Sequence, residues 1–266
     1  MKTDWVLCTI VSGVATITLN NPPLNVVTLG LTHALGETLD ALASDENVRA
    51  LVLTGAGERA FCAGSDIGEF TRFMAPGQVV PGKLARQNAV FSHLATFPKP
   101  TVAAISGLAF GGGLEIAVCC DLLVVEEHTR LALPEIKLGV FPSSGGPVRV
   151  TRRIGAGRAK EMMLLGEPID AATALAWGLV NRVVPRGRSL HAAQEIATVL
   201  ALRAPRALRY CKRAIDVAFD TTEDDALRQA LVLSDLAFSS TECREGVRAF
   251  LAKETPSFGP DRGERA

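Results

Sequence analysis

The chain lacks net charge: its 266 residues carry 28 Lys plus Arg against 28 Asp plus Glu. That balance gives no drive toward nucleic acid or an anionic membrane surface, so neither is expected as a partner. It also lacks any C-x-x-C pair. The six cysteines (Cys8, Cys62, Cys119, Cys120, Cys211, Cys243) are scattered apart from the vicinal Cys119-Cys120. Such usage suits small buried hydrophobes in a reducing compartment, not a disulfide framework or a zinc site. No run of about 18 uncharged apolar residues exists, so no membrane span is expected. The opening residues pass straight into the alternation Val6, Cys8, Ile10, without the apolar core and cleavage site of a signal peptide, and a cytoplasmic location is the expectation. His33, His93, His128 and His191 show no metal-ligand spacing; His33 and His191 fall in helical patterns and are expected at the surface. No G-x-S-x-G elbow occurs, because Ser143-Ser144-Gly145-Gly146 lacks the leading glycine. A serine triad or a metal centre is thus unsupported, and no cofactor is expected.

What is there is apolar: 48% of residues are hydrophobic, enough for a substantial core in one large domain or one domain with an appendage. Residues 5–10 and 14–20 alternate like a hairpin about Ser12-Gly13, and Leu31, Leu35, Leu39 and Leu42 share one face of a predicted helix over 31–42. Ala50–Thr54, Thr101–Ile105 and Leu122–Val125 are short apolar runs suited to strands buried on both faces. Between them, 71–82 reads as a mobile loop and 107–120 as a turn plus helix. Strands separated by helical stretches predict a mostly parallel sheet. Gly155 to Gly166 reads as one helix, and Asp170 caps another that Gly178 ends. From about 188 onward the pattern is helical: 188–203, 205–218, 223–239 and 241–252.

The richest segment is Gly111-Gly112-Gly113-Leu114-Glu115-Ile116-Ala117-Val118-Cys119-Cys120-Asp121. A Gly-rich turn at a helix start presents unpaired N–H groups and the positive end of the helix dipole. A carboxylate in the apolar run that follows has no structural use there unless it is paired, neutralised or employed. Glu115 could equally be satisfied by capping that first turn. Phe61-Cys62-Ala63-Gly64-Ser65-Asp66-Ile67 is a small-residue turn that can aim the Ser65 N–H outward, or simply connect two elements. Leu133-Pro134-Glu135-Ile136-Lys137-Leu138-Gly139 sets a second carboxylate in apolar company, which raises a carboxyl pKa and suits a proton donor; pairing with Lys137 is the plainer alternative. Two carboxylates with two backbone donors are what proton movement beside a carbonyl requires. Gly55-x-Gly57-x-x-Ala60 follows a strand, but Phe61-Cys62-Ala63-Gly64 comes where a dinucleotide-binding helix should continue.

At these residues, and at Asn21-Pro22-Pro23-Leu24-Asn25, Pro142-Ser143-Ser144-Gly145-Gly146 and 176–184, the sequence resembles the enoyl-CoA hydratase/isomerase (crotonase) superfamily over roughly residues 5–255. The resemblance implies an α/β fold, a ββα superhelical core over 1–200, and a C-terminal helical trimerisation region over 201–266. It implies a homotrimer or dimer of trimers and an acyl-CoA thioester substrate, coenzyme A arriving as part of that substrate. It further implies that the Ser65 and Gly112 N–H groups hold the thioester oxygen. Glu115 and Glu135 fall where hydratases of the family keep two glutamates, and Leu24, Ala63, Gly64, Asp66 and Ile67 would border the CoA. Lys83, Arg86, Lys99 and Lys253 are candidate phosphate contacts. Ser65 stands where many hydratases carry Ala, and Pro147-Val148 where they often have Thr-Gln. The activity implied is enoyl-CoA hydration; a double-bond isomerase, another acyl-CoA lyase and a non-catalytic acyl-CoA binder are the alternatives.

Overall fold

The computed structural model describes residues 4–258. Strands β1 (Val6–Val11) and β2 (Val14–Leu19) pair antiparallel, Val11 facing Val14. Ser12 and Gly13 both take positive φ, 49° and 80°, the turn geometry whose twist matches a two-residue hairpin. Helix α1 (Leu29–Ser44) starts where the Thr28 hydroxyl accepts the Leu31 N–H at 3.0 Å, and buries Leu31, Leu35, Leu39 and Leu42. Strands β3 (Ala50–Gly55) and β4 (Ala60–Cys62) follow, then α2 (Ala85–Ala95). The segment before α2, expected as an irregular loop over 71–82, instead holds a 3-10 helix (Ile67–Phe73) and a π-helical turn (Val80–Leu84). Asp66 caps the first of these, its side chain accepting the Gly68 N–H at 2.8 Å.

The unit then repeats. Strands β5 (Thr101–Ile105) and β6 (Leu108–Phe110) lead to α3 (Gly112–Ala117); β7 (Leu122–Glu126) and β8 (Arg130–Ala132) lead through a 3-10 helix (Glu135–Leu138) to α4 (Gly146–Leu165). Helix α4 is broken at Gly155 (φ 77°, ψ 162°), where the sequence placed a helix start. Strand β9 (Ile169–Asp170) and helix α5 (Ala171–Trp177) come next; Asp170 accepts the Thr173 N–H at 2.8 Å, and Gly178 (φ 81°) ends the helix. After β10 (Arg182–Val184) come α6 (Ser189–Ala201), α7 (Pro205–Val217), α8 (Glu223–Phe238) and α9 (Thr241–Ala252).

In each unit the first strand joins one sheet and the second joins another. The larger sheet runs β1-β2-β3-β5-β7-β10, parallel throughout except β1 with β2; the smaller runs β4-β6-β8-β9, parallel except β8 with β9. Strands β3, β5 and β7 are buried on both faces, which is why they read as unbroken apolar runs. Leu51, Leu53, Ala103, Ile105, Leu123 and Val125 face the main core. Val52, Val102, Ala104 and Val124 face Ala193 and Ala197 of α6. Helices α7 to α9 bury few residues fully and keep Leu231 and Phe250 71% and 82% exposed.

Candidate active site

Strands β4, β6 and β8 are parallel neighbours, so their C-terminal ends open on one side of the smaller sheet. The chain leaving them carries Ser65, Gly111-Gly112 and Glu135 respectively. Sequence-distant residues are thereby set side by side.

After β4, the segment Leu24–Val27 runs along Ala63–Asp66. The Ala63 N–H donates to the Leu24 carbonyl (2.9 Å), the Val27 N–H to the Gly64 carbonyl (2.8 Å) and the Asp66 N–H to the Val27 carbonyl (3.0 Å). Asn25, buried with φ 51°, anchors this segment by donating from its amide to the Ala56 and Ala60 carbonyls at 2.9 and 2.8 Å. The Ser65 N–H engages no acceptor among the described residues. Ile67 is 58% exposed beside it.

After β6, each glycine of the triplet has its own reason. Gly111 takes φ 48°, which side chains with a Cβ rarely adopt, and a Cβ there would stand 2.7 Å from Glu135 Oε1. A Cβ on Gly112 would stand 3.2 Å from Ser65 Oγ and 3.5 Å from the Ser65 nitrogen. A Cβ on Gly113 would overlap the Cys62 carbonyl oxygen, so the start of α3 lies hard against the end of β4. The Gly112 N–H opens α3 and has no preceding turn to bond.

Glu115, one turn into α3, is 3% exposed. Its carboxylate is held by the start of α4 and not by its own helix: Oε1 accepts the Ser144 N–H at 2.7 Å and the Gly146 N–H at 2.8 Å. Burial raises its pKa above the usual carboxyl value, while these two N–H groups and the Arg149 guanidinium pull it back. Glu135 is half-buried at the start of its 3-10 helix, with Oε2 buried and unpartnered. Burial pushes its pKa up to about 7, its own backbone N–H opposes this, and the negative charge of Glu115 adds a further upward push. The raised pKa matches the sequence expectation; the surroundings do not. Leu133 is buried, but Ile136 and Leu138 are 42% and 54% exposed, and the Glu135 carboxyl lies against the Gly111 turn. Lys137 pairs with Glu167 at 2.8 Å, not with Glu135.

Two candidate phosphate contacts are already engaged. Lys83 is 2% exposed, with Nζ 2.7 Å from Glu69 Oε2, and the Lys99 ammonium donates to the Leu42 and Asp45 carbonyls at 2.6 Å each. Arg86 lies 3.4 Å from the His33 ring, and Lys253 is exposed at the end of α9. Sequence reasoning missed Gln87, whose Nε2 donates to Ser144 Oγ at 2.7 Å, both residues being buried. The signal was its register: Gln87 begins the buried face that continues with Val90, Phe91 and Leu94.

No helix among the described residues is long and apolar enough to cross a membrane. Residues 9–261 match the family model described as enoyl-CoA hydratase/isomerase. A Mycobacterium bovis protein named probable enoyl-CoA hydratase is 37% identical over 246 residues, covering 92% of this chain and 94% of that protein. The structure of Pseudomonas aeruginosa DspI superposes with a TM-score of 0.92 at 34% identity, covering 96% of this chain and 97% of that one. An enoyl-CoA hydratase structure from Bacillus anthracis gives 0.90 at 33% identity, over 96% and 98%.

Proposed function

The chain belongs to the enoyl-CoA hydratase/isomerase family, and we propose that it hydrates a trans-2-enoyl-CoA to the 3-hydroxyacyl-CoA. One observation carries this reading: Ser65 and Glu135 flank consecutive glycines of a single turn, with the buried Glu115 carboxylate one helical turn on.

In the proposed reaction the thioester oxygen accepts the Ser65 and Gly112 N–H groups. Two donors aimed at an oxygen that gains charge are worth about 3 kcal/mol each, by analogy with measured holes. The segments holding Leu24, Ala63, Gly64, Asp66 and Ile67 border the CoA. Glu115 takes a proton from water, which attacks C3; its carboxylate is fixed by two backbone donors and so stays aimed. Glu135 then delivers a proton to C2 of the enolate. A pKa near 7 makes it a serviceable donor at neutral pH, where an ordinary carboxyl would be ionised. Having both carboxylates favours hydration over isomerisation, which needs one shuttle and no water.

The exposed apolar side chains of α8 and α9, among them Leu231 and Phe250, support assembly as a trimer or dimer of trimers through the C-terminal helices. Mixing the protein with crotonyl-CoA and following the ultraviolet absorbance of the conjugated thioester tests the activity. Loss of absorbance with 3-hydroxybutyryl-CoA as product is the expected result. A moved double bond, or no reaction despite binding, would replace hydration with isomerisation or another acyl-CoA chemistry.

A further inference from the structure

Beside Gly112 lie polar groups that the reaction above does not use. The spot a Cβ would occupy there lies 3.2 Å from Ser65 Oγ and 3.7 Å from Gln87 Nε2. Gln87 is 1% exposed and donates from Nε2 to Ser144 Oγ at 2.7 Å; Ser144 is likewise 1% exposed. The Gln87 Oε1 atom is buried and has no hydrogen-bond partner. An unpaired amide oxygen in that position is costly. The amide nitrogen is accounted for by the buried Ser144 hydroxyl, which an apolar side chain on the Val90, Phe91, Leu94 face would leave unpaired; nothing in the packing accounts for the oxygen. A ligand does.

We propose that Gln87 and Ser144 form a polar subsite that selects acyl-CoA thioesters carrying a hydroxyl on the carbon beyond the reacting double bond. The proposal rests on the reading of Ser65 and Gly112 as the thioester-holding turn. The pair presents one donor and one acceptor whichever way the amide is turned. With Nε2 on Ser144 Oγ, the Gln87 oxygen accepts and the serine hydrogen is free to donate. With the amide reversed, the NH2 donates and the serine oxygen accepts. A hydroxyl satisfies both at once. An alkyl chain leaves both unpaired. A carboxylate offers acceptors alone, and it would approach Glu115, whose Oε1 is bonded to the N–H of the same Ser144. The position along the acyl chain is part of the proposal. Ser144 holds Glu115 through its N–H and Gln87 through its hydroxyl. In the proposed reaction C2 and C3 belong to Glu135 and Glu115, and the polar pair on the far side of Ser144 is assigned to the next carbon, C4.

The test uses thioesters that cannot be hydrated, so that binding is read apart from catalysis. Butanoyl-CoA and freshly prepared 4-hydroxybutanoyl-CoA are titrated calorimetrically into the wild-type protein, Gln87→Met and Ser144→Ala. Two net hydrogen bonds predict that the wild type prefers the hydroxylated thioester by about tenfold or more. The ratio is expected to approach one in Gln87→Met and to fall in Ser144→Ala, which loses a single oxygen and decides the matter if Gln87→Met does not fold. Equal wild-type affinities, or a preference that survives both substitutions, overturn the subsite. So does failure of either thioester to bind, which removes the acyl-CoA reading as well. A hydroxyl preference in a protein that leaves crotonyl-CoA unchanged supports the subsite and sinks only the hydratase assignment.

Discussion

Glu115 stands on a regular helix with two N–H groups from the start of α4 closing on one oxygen, whereas Glu135 stands on a 3-10 turn with a buried oxygen that nothing meets. The same side chain, delivered to one site by two different elements, is raised in pKa by burial in both places, but only the first has N–H groups of another element and the Arg149 guanidinium drawing it back. Backbone donors stabilise charge, and burial without a partner penalises it. The difference is what the proposed division of labour needs: a carboxylate that stays aimed at water, and a carboxyl that holds a proton near neutral pH.

The strongest way to break that comparison is to remove each charge while keeping the shape. Glu115→Gln and Glu135→Gln are each expected to lower kcat on an enoyl-CoA by about 10²–10⁴-fold, the usual worth of a general acid or base. Acyl-CoA affinity should change little; a variant with undiminished turnover removes that residue from the mechanism. The second effect is on stability. The pKa of Glu135 rises from 4.5 to about 7 on folding. Between these values the unfolded chain has lost the proton and the folded chain keeps it, so stability falls as pH rises through the window. Glu135→Gln should therefore be more stable than wild type above pH 7 by on the order of 3 kcal/mol, with the difference vanishing below about pH 4.5. Denaturant titrations at pH 4.5 and 8 would check it, and equal differences at both would refute it.

The pH dependence of turnover gives a smaller, sharper signal. For wild type, kcat/KM is expected to fall about tenfold per unit above pH 7, as Glu135 loses its proton. Stopped-flow profiles of Glu135→Gln should be flat over that range; the same falling limb in the variant would assign it elsewhere. Smallest is the effect of crowding the fixed carboxylate. A Cβ on Gly146 would stand 3.0 Å from Glu115 Oε1 and 2.8 Å from Pro142 Cβ. Gly146→Ala should lower kcat by about tenfold through misplacement, with KM little changed.

Much of this arrangement was legible in the sequence, and the losses have physical causes. The buried strands β3, β5 and β7 announced themselves as apolar runs, and the caps at Asp170 and Gly178 marked α5. Strands β4, β6, β8 and β10 span only three residues each and β9 two. Segments that short have no period to detect; they are strands because a neighbour pairs with them. Three of them, β4, β6 and β8, are also the strands whose ends carry the candidate site, so its assembly could be named by resemblance but not built from local pattern. Glu135 shows a second limit. Its sequence neighbours Ile136 and Leu138 turn outward, and its carboxyl lies against a glycine turn remote in the chain. Helices α1 and α8 show a third. Both are 16 residues long with leucine-bearing stripes, yet α1 buries its stripe and α8 leaves Leu227, Leu231 and Leu236 exposed. Periodicity identifies an apolar face; it does not say what covers it.

The division between the two carboxylates is tested most directly by following exchange of the C2 protons of butanoyl-CoA with deuterium from solvent. If Glu135 serves C2 and Glu115 serves the water, Glu115→Gln retains C2 exchange while losing hydration, and Glu135→Gln loses both. Exchange that survives in Glu135→Gln, or that disappears equally in the two variants, would contradict the account.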